Sequence, residues 1–160
     1  MLQKIIKFIL MLRLSKLTDY AIVMMAYLTQ APHDSSSAKQ IAEQTGVSLP
    51  TASKLLKRLA RCGLLNAHRG IKGGYQLAYP AQEISLSHII RALEGPIGLT
   101  DCSHTTPGCS LEKDCRIRDN WRRVSALLEE MLSHVSIADL VQAADQLPSL
   151  LKKPCMSVCH

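Results

Sequence analysis

The sequence predicts a mainly α-helical chain carrying one small β-hairpin, and three observations predict it. Aromatic residues make up only 4% of the 160 positions, too few for the strands of a sandwich or barrel, while a hydrophobic content of 47% is enough for a packed core. Apolar residues recur at helical spacing through most of the chain. The exception is a glycine-rich turn, Arg69 to Tyr75, set between short apolar runs in the manner of a hairpin. The length suits one compact domain, or one domain with an appended helix.

Each element follows from local signals. Leu17, Tyr20, Ala21, Met24 and Leu28 mark a first helix, with Thr18 and Asp19 in its first turn. Pro32 to Ser37 breaks it. Ala38 to Thr45 is a short helix packing through Ile41 and Ala42 and ended by Gly46. Ser48 is placed to cap a third helix, with Pro50 tolerated in its first turn, Leu55, Leu56 and Leu59 facing inward, and Cys62 at its end expected as a small buried hydrophobe. Gly63-Leu64-Leu65 then enters the hairpin.

Beyond Pro80, Ser85 to Glu94 reads as an amphipathic helix stopped by Gly95-Pro96, with a structural role for His88. The next stretch has no apolar period. From Asn120 a long helix is expected, because Trp121, Val124, Leu128, Met131 and Val135 step alternately by three and four, forming a short heptad seam suited to a homodimer interface or to the core. Ser136-Ile137-Ala138-Asp139 is a capping-box pattern for one more short helix, and the chain from Pro148 is expected to be loose.

Charge gives the first functional signal. The chain carries 19 Lys and Arg against 13 Asp and Glu, a net charge of +6. No acidic residue stands between Glu43 and Glu83, a gap that holds Lys54, Lys57, Arg58, Arg61, Arg69 and Lys72. A solvated basic face is the plain alternative. One unrelieved basic stretch in so small a domain points instead to nucleic acid.

The motif inside that gap sharpens the expectation. Two short helices joined at Gly46 have the form of a helix-turn-helix, and the charged hairpin that follows makes a wing, so the fold class is a winged helix-turn-helix with a small β-wing and a long C-terminal dimerisation helix. The expected contacts with a double-stranded DNA operator are Ser48, Pro50, Thr51, Ser53, Lys54 and Lys57 at the major groove. Arg69, Lys72, Gly73, Gly74 and Tyr75 would supply the wing, with Arg69 near the minor groove.

The first ten residues mix Lys4 and Lys7 with apolar side chains, too short to span a bilayer and lacking the order of a signal peptide. A dispensable extension and a cytoplasmic protein with no membrane partner are expected. Reduced thiols there favour metal binding over disulfides. Cys102, Cys109 and Cys115 share one loop, with six and five residues between them. A disulfide would leave one thiol over, and a closed zinc site wants four ligands with a close pair. An iron-sulfur cluster accepts wider spacing, and three thiolates leave a corner for a weaker, labile ligand. Cys155, Cys159 and His160 read as incidental. The resulting division is 1–10 extension, 11–80 winged helix-turn-helix, 81–98 linking helix, 99–118 cysteine loop, 119–146 dimerisation helix with a short helix, and 147–160 tail.

These features together resemble the Rrf family of bacterial winged-helix regulators, which includes IscR-like, NsrR-like and Suf-operon regulators. The resemblance runs from about Met11 to Leu140. It is carried by Leu12-Arg13-Leu14-Ser15-Lys16-Leu17-Thr18-Asp19-Tyr20-Ala21, the wing Arg69-Gly70-Ile71-Lys72-Gly73-Gly74-Tyr75, Leu93-Glu94-Gly95-Pro96, and the three cysteines. It implies a homodimer in which Cys102, Cys109 and Cys115 hold a 2Fe-2S or 4Fe-4S cluster near the partner subunit's DNA-binding domain. The histidine that IscR-like members place three residues past the last cysteine is Arg118 here, which cannot ligate. Asp19 matches the helix-one aspartate of NsrR-like members and competes with Asp101 and His104 for the fourth position.

Leu93 to Thr100, Pro107 to Glu112 and Asn120-Trp121 are most similar to the proteobacterial Suf regulators. The resemblance therefore implies a repressor, not an enzyme, that senses cluster status and controls cluster-assembly genes, with nitric oxide or oxygen acting on the cluster. A nitric-oxide-sensing NsrR-like repressor is the nearest alternative. A small iron-sulfur electron carrier or cluster-transfer protein would need the cysteines but would leave the wing and the basic segment unexplained. A thiol-based or zinc-bound repressor would keep the DNA-binding half and change only the chemistry.

Overall fold

The computed structural model describes residues 14–30, 35–70, 73–100 and 115–142. The elements run α1 (Lys16–Leu28), α2 (Ala38–Thr45), α3 (Leu49–Arg61), β1 (Leu65–His68), β2 (Gly74–Leu77), α4 (Leu86–Glu94), α5 (Arg118–Ser133) and α6 (Ile137–Val141). The expected extension 1–10, the residues Ile71 and Lys72, the loop from Asp101 through Cys102, His104 and Cys109, and the tail 147–160 lie outside the described residues.

Helix α1 is the centre of the fold. Its buried face is Thr18, Ala21, Met24, Met25 and Leu28, around which α2, α3, α4 and α6 pack. The sequence pattern placed Leu17 and Tyr20 on that face, and both are exposed. The inward stripe is turned because Thr18, fully buried, is held by a side chain of α4. Ile41, Ala42, Val47, Ala52, Leu55, Leu56, Leu59, Ile84, Ile89 and Ile137 complete one continuous core.

The ends of the helices follow their capping residues. Ser37 and Gln40 form a reciprocal capping box at α2, and Gly46 ends that helix at φ +70°, a conformation that favours glycine. Ser85 with His88 and Ser136 with Asp139 do the same for α4 and α6, which gives His88 the structural role expected of it. Ser48 departs from expectation. It stands at the N-cap of α3 but its hydroxyl donates to the Thr51 hydroxyl at 2.9 Å and accepts no backbone N–H. Pro50, in the first turn, has no N–H to offer.

The two strands are antiparallel, with Leu65 opposite Leu77 and His68 opposite Gly74. Ser36, from the connection before α2, pairs with Tyr75 through both backbone bonds, at 3.0 and 2.8 Å, so the wing is tied to the helical body along its second strand. A second bridge joins Ser85 to Ser136: Leu86 N–H donates to Val135 C=O at 2.8 Å and Ile137 N–H to Ile84 C=O at 2.9 Å. It closes the end of α5 and the start of α6 onto the start of α4.

Helix α5 begins at Arg118, two residues before the expected Asn120. The seam read from the sequence divides between two faces. Trp121 and Leu128 are half-buried on the side of the buried Ser125, while Val124 (43% exposed), Met131 (49%) and Leu127 (59%) face outward together. Val135 lies beyond the helix and is buried in the chain's own interior. Residues three apart on an α-helix lie about 60° apart around its axis, so Trp121 and Leu128 fall on the side of Ser125 while Val124 and Met131 fall on the side of Leu127.

Candidate nucleic-acid interface

Helix α3 separates its two faces sharply. Ala52, Leu55, Leu56 and Leu59 are buried, and Lys54, Lys57, Arg58 and Arg61 stand exposed on the far side. No acidic residue lies in its first turn. Ser48, Leu49 and Pro50 are exposed at its beginning, with Thr51 and Ser53 half-buried beside them. The positive end of the helix macrodipole and an unneutralised basic face therefore point to the same solvent, as an anionic duplex requires.

The described part of the wing adds Arg69, exposed at the end of β1, and the turn is closed by Gly73 N–H donating to Gly70 C=O at 2.9 Å. Gly74 and Tyr75 serve the wing's attachment. A Cβ on Gly74 would sit 2.5 Å from the Ser36 carbonyl oxygen, and Tyr75 packs against the core while its backbone pairs with Ser36. The wing thus depends on a glycine for close approach, with Arg69 exposed just beyond β1.

Two features were missed from the sequence. Leu49, first residue of α3, is 45% exposed and adds an apolar side chain to the exposed start of that helix. Helical spacing gave no signal for it, because it stands three residues before Ala52 and seven before Leu56, in phase with the buried stripe, and is exposed only as the first residue of the helix. Cys62, expected to be buried, is exposed at the C-cap of α3, where its thiol lies 3.8 Å from the Ala92 carbonyl oxygen. The helix has ended by then, so the inward phase of the stripe no longer applies.

The remaining candidates concern the thiols. Cys115 is half-buried, free, and sits just before α5, where its C=O accepts from Arg118 N–H at 3.3 Å. Asp19 is exposed in the first turn of α1 and its carboxylate has no hydrogen-bond or ion-pair partner among the described residues. The cap of α1 is Ser15, whose hydroxyl oxygen accepts from Thr18 N–H at 3.2 Å, so the Asp19 carboxylate is not engaged in capping the helix. No three His, Cys, Asp or Glu side chains converge among the described residues. The chain leading to Cys102 is pinned to α5 by Leu99 N–H donating to the buried Ser125 hydroxyl at 3.2 Å.

Glu94, the last residue of α4, connects these parts. Its carboxylate accepts from the Ser15 backbone N–H at 3.1 Å and from the Thr18 hydroxyl. Partial burial pushes its pKa up, but the bonds from Thr18 and Ser15 outweigh this and hold it below the ordinary 4.5. The carboxylate is thus kept charged at the junction of α1, α4 and the segment that follows. No described helix is long and apolar enough to cross a membrane.

Comparison with known proteins agrees with this architecture. The profile of the Rrf2 family, described as an iron-dependent transcriptional regulator, matches residues 14–143. An HTH-type transcriptional regulator NsrR from Halalkalibacterium halodurans is 29% identical over 143 residues, covering 88% of this chain and 98% of that protein. Among solved structures, CymR, the global cysteine regulator of B. subtilis, superposes with a TM-score of 0.65 at 28% identity, covering 82% of this chain and 97% of the other. IscR from T. potens gives a TM-score of 0.61 at 30% identity, with 86% and 93% covered.

Proposed function

The chain belongs to the Rrf2 family of iron-dependent transcriptional regulators, and we propose that within it this DNA-binding regulator is a homodimeric repressor whose operator affinity follows an iron-sulfur cluster. The observation that carries this reading is the place of Glu94: it bonds to the start of α1, against which the basic recognition helix α3 packs, and it ends α4 a few residues before the cysteine-bearing segment. The proposed division of labour is 11–80 for DNA, 81–98 for linkage, 99–118 for the cluster and 119–146 for dimerisation.

The donor set fits such a group. Cys102, Cys109 and Cys115 would supply thiolates and Asp19, unpartnered among the described residues, a fourth oxygen from the partner subunit. When bound, the cluster would supply a redox- and nitric-oxide-sensitive centre with one labile corner. The protein's part is mechanical. Glu94 holds the start of α1, Ser125 holds the entry to the cysteine segment, and Cys115 adjoins the start of α5, so rearrangement in that segment bears on α5 and, through the end of α4, on α1 of the DNA-binding unit. The outward row Val124, Leu127 and Met131 on α5 is proposed as the dimer surface, with Trp121 and Leu128 at its margin.

Control of Suf cluster-assembly genes is the preferred regulatory target, supported by the likeness at Leu93 to Thr100 and Asn120-Trp121. A nitric-oxide-responsive repressor is the second reading, favoured by the availability of Asp19 and by likeness to NsrR. Anaerobic purification tests the cofactor: a visible thiolate-to-iron absorbance is expected in the wild type and should be lost in Cys109→Ala. A colourless, iron-free anaerobic protein would reject it.

A further inference from the structure

The last turn of α4 is gripped from three sides. Arg91 pairs with Glu129 of α5 at 2.9 Å, Glu94 holds Ser15 and Thr18 of α1, and between them the Ala92 carbonyl oxygen accepts from Arg58 Nε of α3 at 2.9 Å. That carbonyl is one of the last four of its helix, which have no partner within the helix itself. Arg58 therefore spends its directional Nε donor on a neighbouring helix end, whereas Lys54 and Lys57 on the same helix have no such contact among the described residues.

We propose that Arg58 is a positioning residue for operator recognition: it sets the pose of the recognition helix against α4 through Ala92 and is not one of the phosphate contacts that its place in the basic segment would suggest. This rests on the DNA-binding reading above. The argument is geometric and energetic. Leu93 is buried and Arg91 and Glu94 are both engaged, so the α4 end is a fixed reference. Arg58 sits near the C-terminal end of α3, where a small rotation displaces the exposed start of the helix, Ser48 to Pro50, relative to a groove. The hydrogen bond itself is solvent-exposed, so its loss should cost little stability. Base readout is more demanding, because a bidentate or methyl contact at a base edge tolerates little misplacement. A second α3 side chain, the Cys62 thiol one turn on, approaches the same carbonyl at 3.8 Å.

Lysine at position 58 keeps the charge but lacks the Nε–H and the planar fork. The test therefore compares Arg58→Lys, Arg58→Gln and Lys57→Gln in the full-length chain. The probes are a duplex enriched by the wild-type protein from a random-sequence pool and a scrambled duplex of equal length, each titrated over a range of salt. Positioning predicts that Arg58→Lys binds the enriched duplex about tenfold or more weakly, with unchanged affinity for scrambled DNA, an unchanged salt slope and an unchanged melting temperature. Lys57→Gln should weaken both duplexes alike and flatten the slope by about one. Wild-type selectivity retained in Arg58→Lys, with a slope flattened in Arg58→Gln, would make Arg58 a phosphate contact and overturn the inference. Failure of the wild type itself to enrich any duplex would instead overturn the DNA-binding reading on which the inference rests.

Discussion

Glu94 at the end of α4 accepts a hydrogen bond from the hydroxyl of Thr18, a fully buried residue in the first turn of α1 lying 76 positions earlier. The pair closes the DNA-binding unit on itself immediately before the chain enters its cysteine segment. Asp19, adjacent to Thr18, is thereby held at a fixed position on the surface. One contact thus sets both the seat of α1 and the presentation of the candidate fourth ligand.

Thr18→Val should cost about 1 kcal/mol, since it leaves the Glu94 carboxylate short of one donor. The pH dependence has a definite sign. The folded pKa of Glu94 lies below its ordinary 4.5, so its contribution is present above that value and is lost as pH falls through the folded pKa. Urea unfolding of the wild type and Glu94→Gln should give a stability difference that is steady at neutral pH and shrinks in acid. A difference that grows on acidification contradicts the arrangement.

At the wing, Arg69→Ala should weaken binding to the selected duplex by about 1–3 kcal/mol, and Lys72→Ala should flatten the salt slope by about one. Fluorescence anisotropy over a salt series reads both. If neither variant differs from the wild type, the wing does not touch DNA.

Leu127, the most exposed large apolar residue of α5, is the best probe of the proposed dimer surface. Leu127→Glu should leave the fold intact, because an exposed position carries a change within roughly 0.5 kcal/mol, yet shift sedimentation to the monomer and weaken binding to a palindromic site. A variant that still sediments as a dimer would place the interface elsewhere.

Asp19→Ala should assemble a cluster that is lost faster or has an altered spectrum, because a carboxylate oxygen is a harder and weaker partner for iron than thiolate. Cys102→Ala or Cys115→Ala should abolish assembly. Cluster-loss rates of Asp19→Ala and His104→Ala, measured together, assign the ligand: a normal Asp19→Ala beside a defective His104→Ala would move it into the loop and remove the cross-subunit link.

Most of the fold was legible because its determinants are local. Gly46 ends α2, Pro50 marks the start of α3, Ser136 and Asp139 cap α6, and the acid-free segment appears as one face of α3. What was not legible depends on contacts between distant residues. Tyr20 and Leu17 looked inward until the bond between Thr18 and Glu94 fixed the rotation of α1. The seam of α5 could not be assigned to one face while Ser125, a small polar residue, gave no hint that it is buried and bonded to Leu99. The backbone pairing of Tyr75 with Ser36 was not legible either, because nothing in the sequence announces it.

The central claim is that the cysteine segment and the recognition helix are one switch. Its direct test is operator affinity measured anaerobically on the cluster-loaded protein and again on the same sample after cluster removal, with Cys109→Ala as the cluster-free reference. We predict a change of about tenfold or more between the two states, corresponding to about 1.4 kcal/mol of coupling, with the reference matching the stripped protein. Equal affinity in both states, from a protein that binds its operator tightly, would contradict the claim.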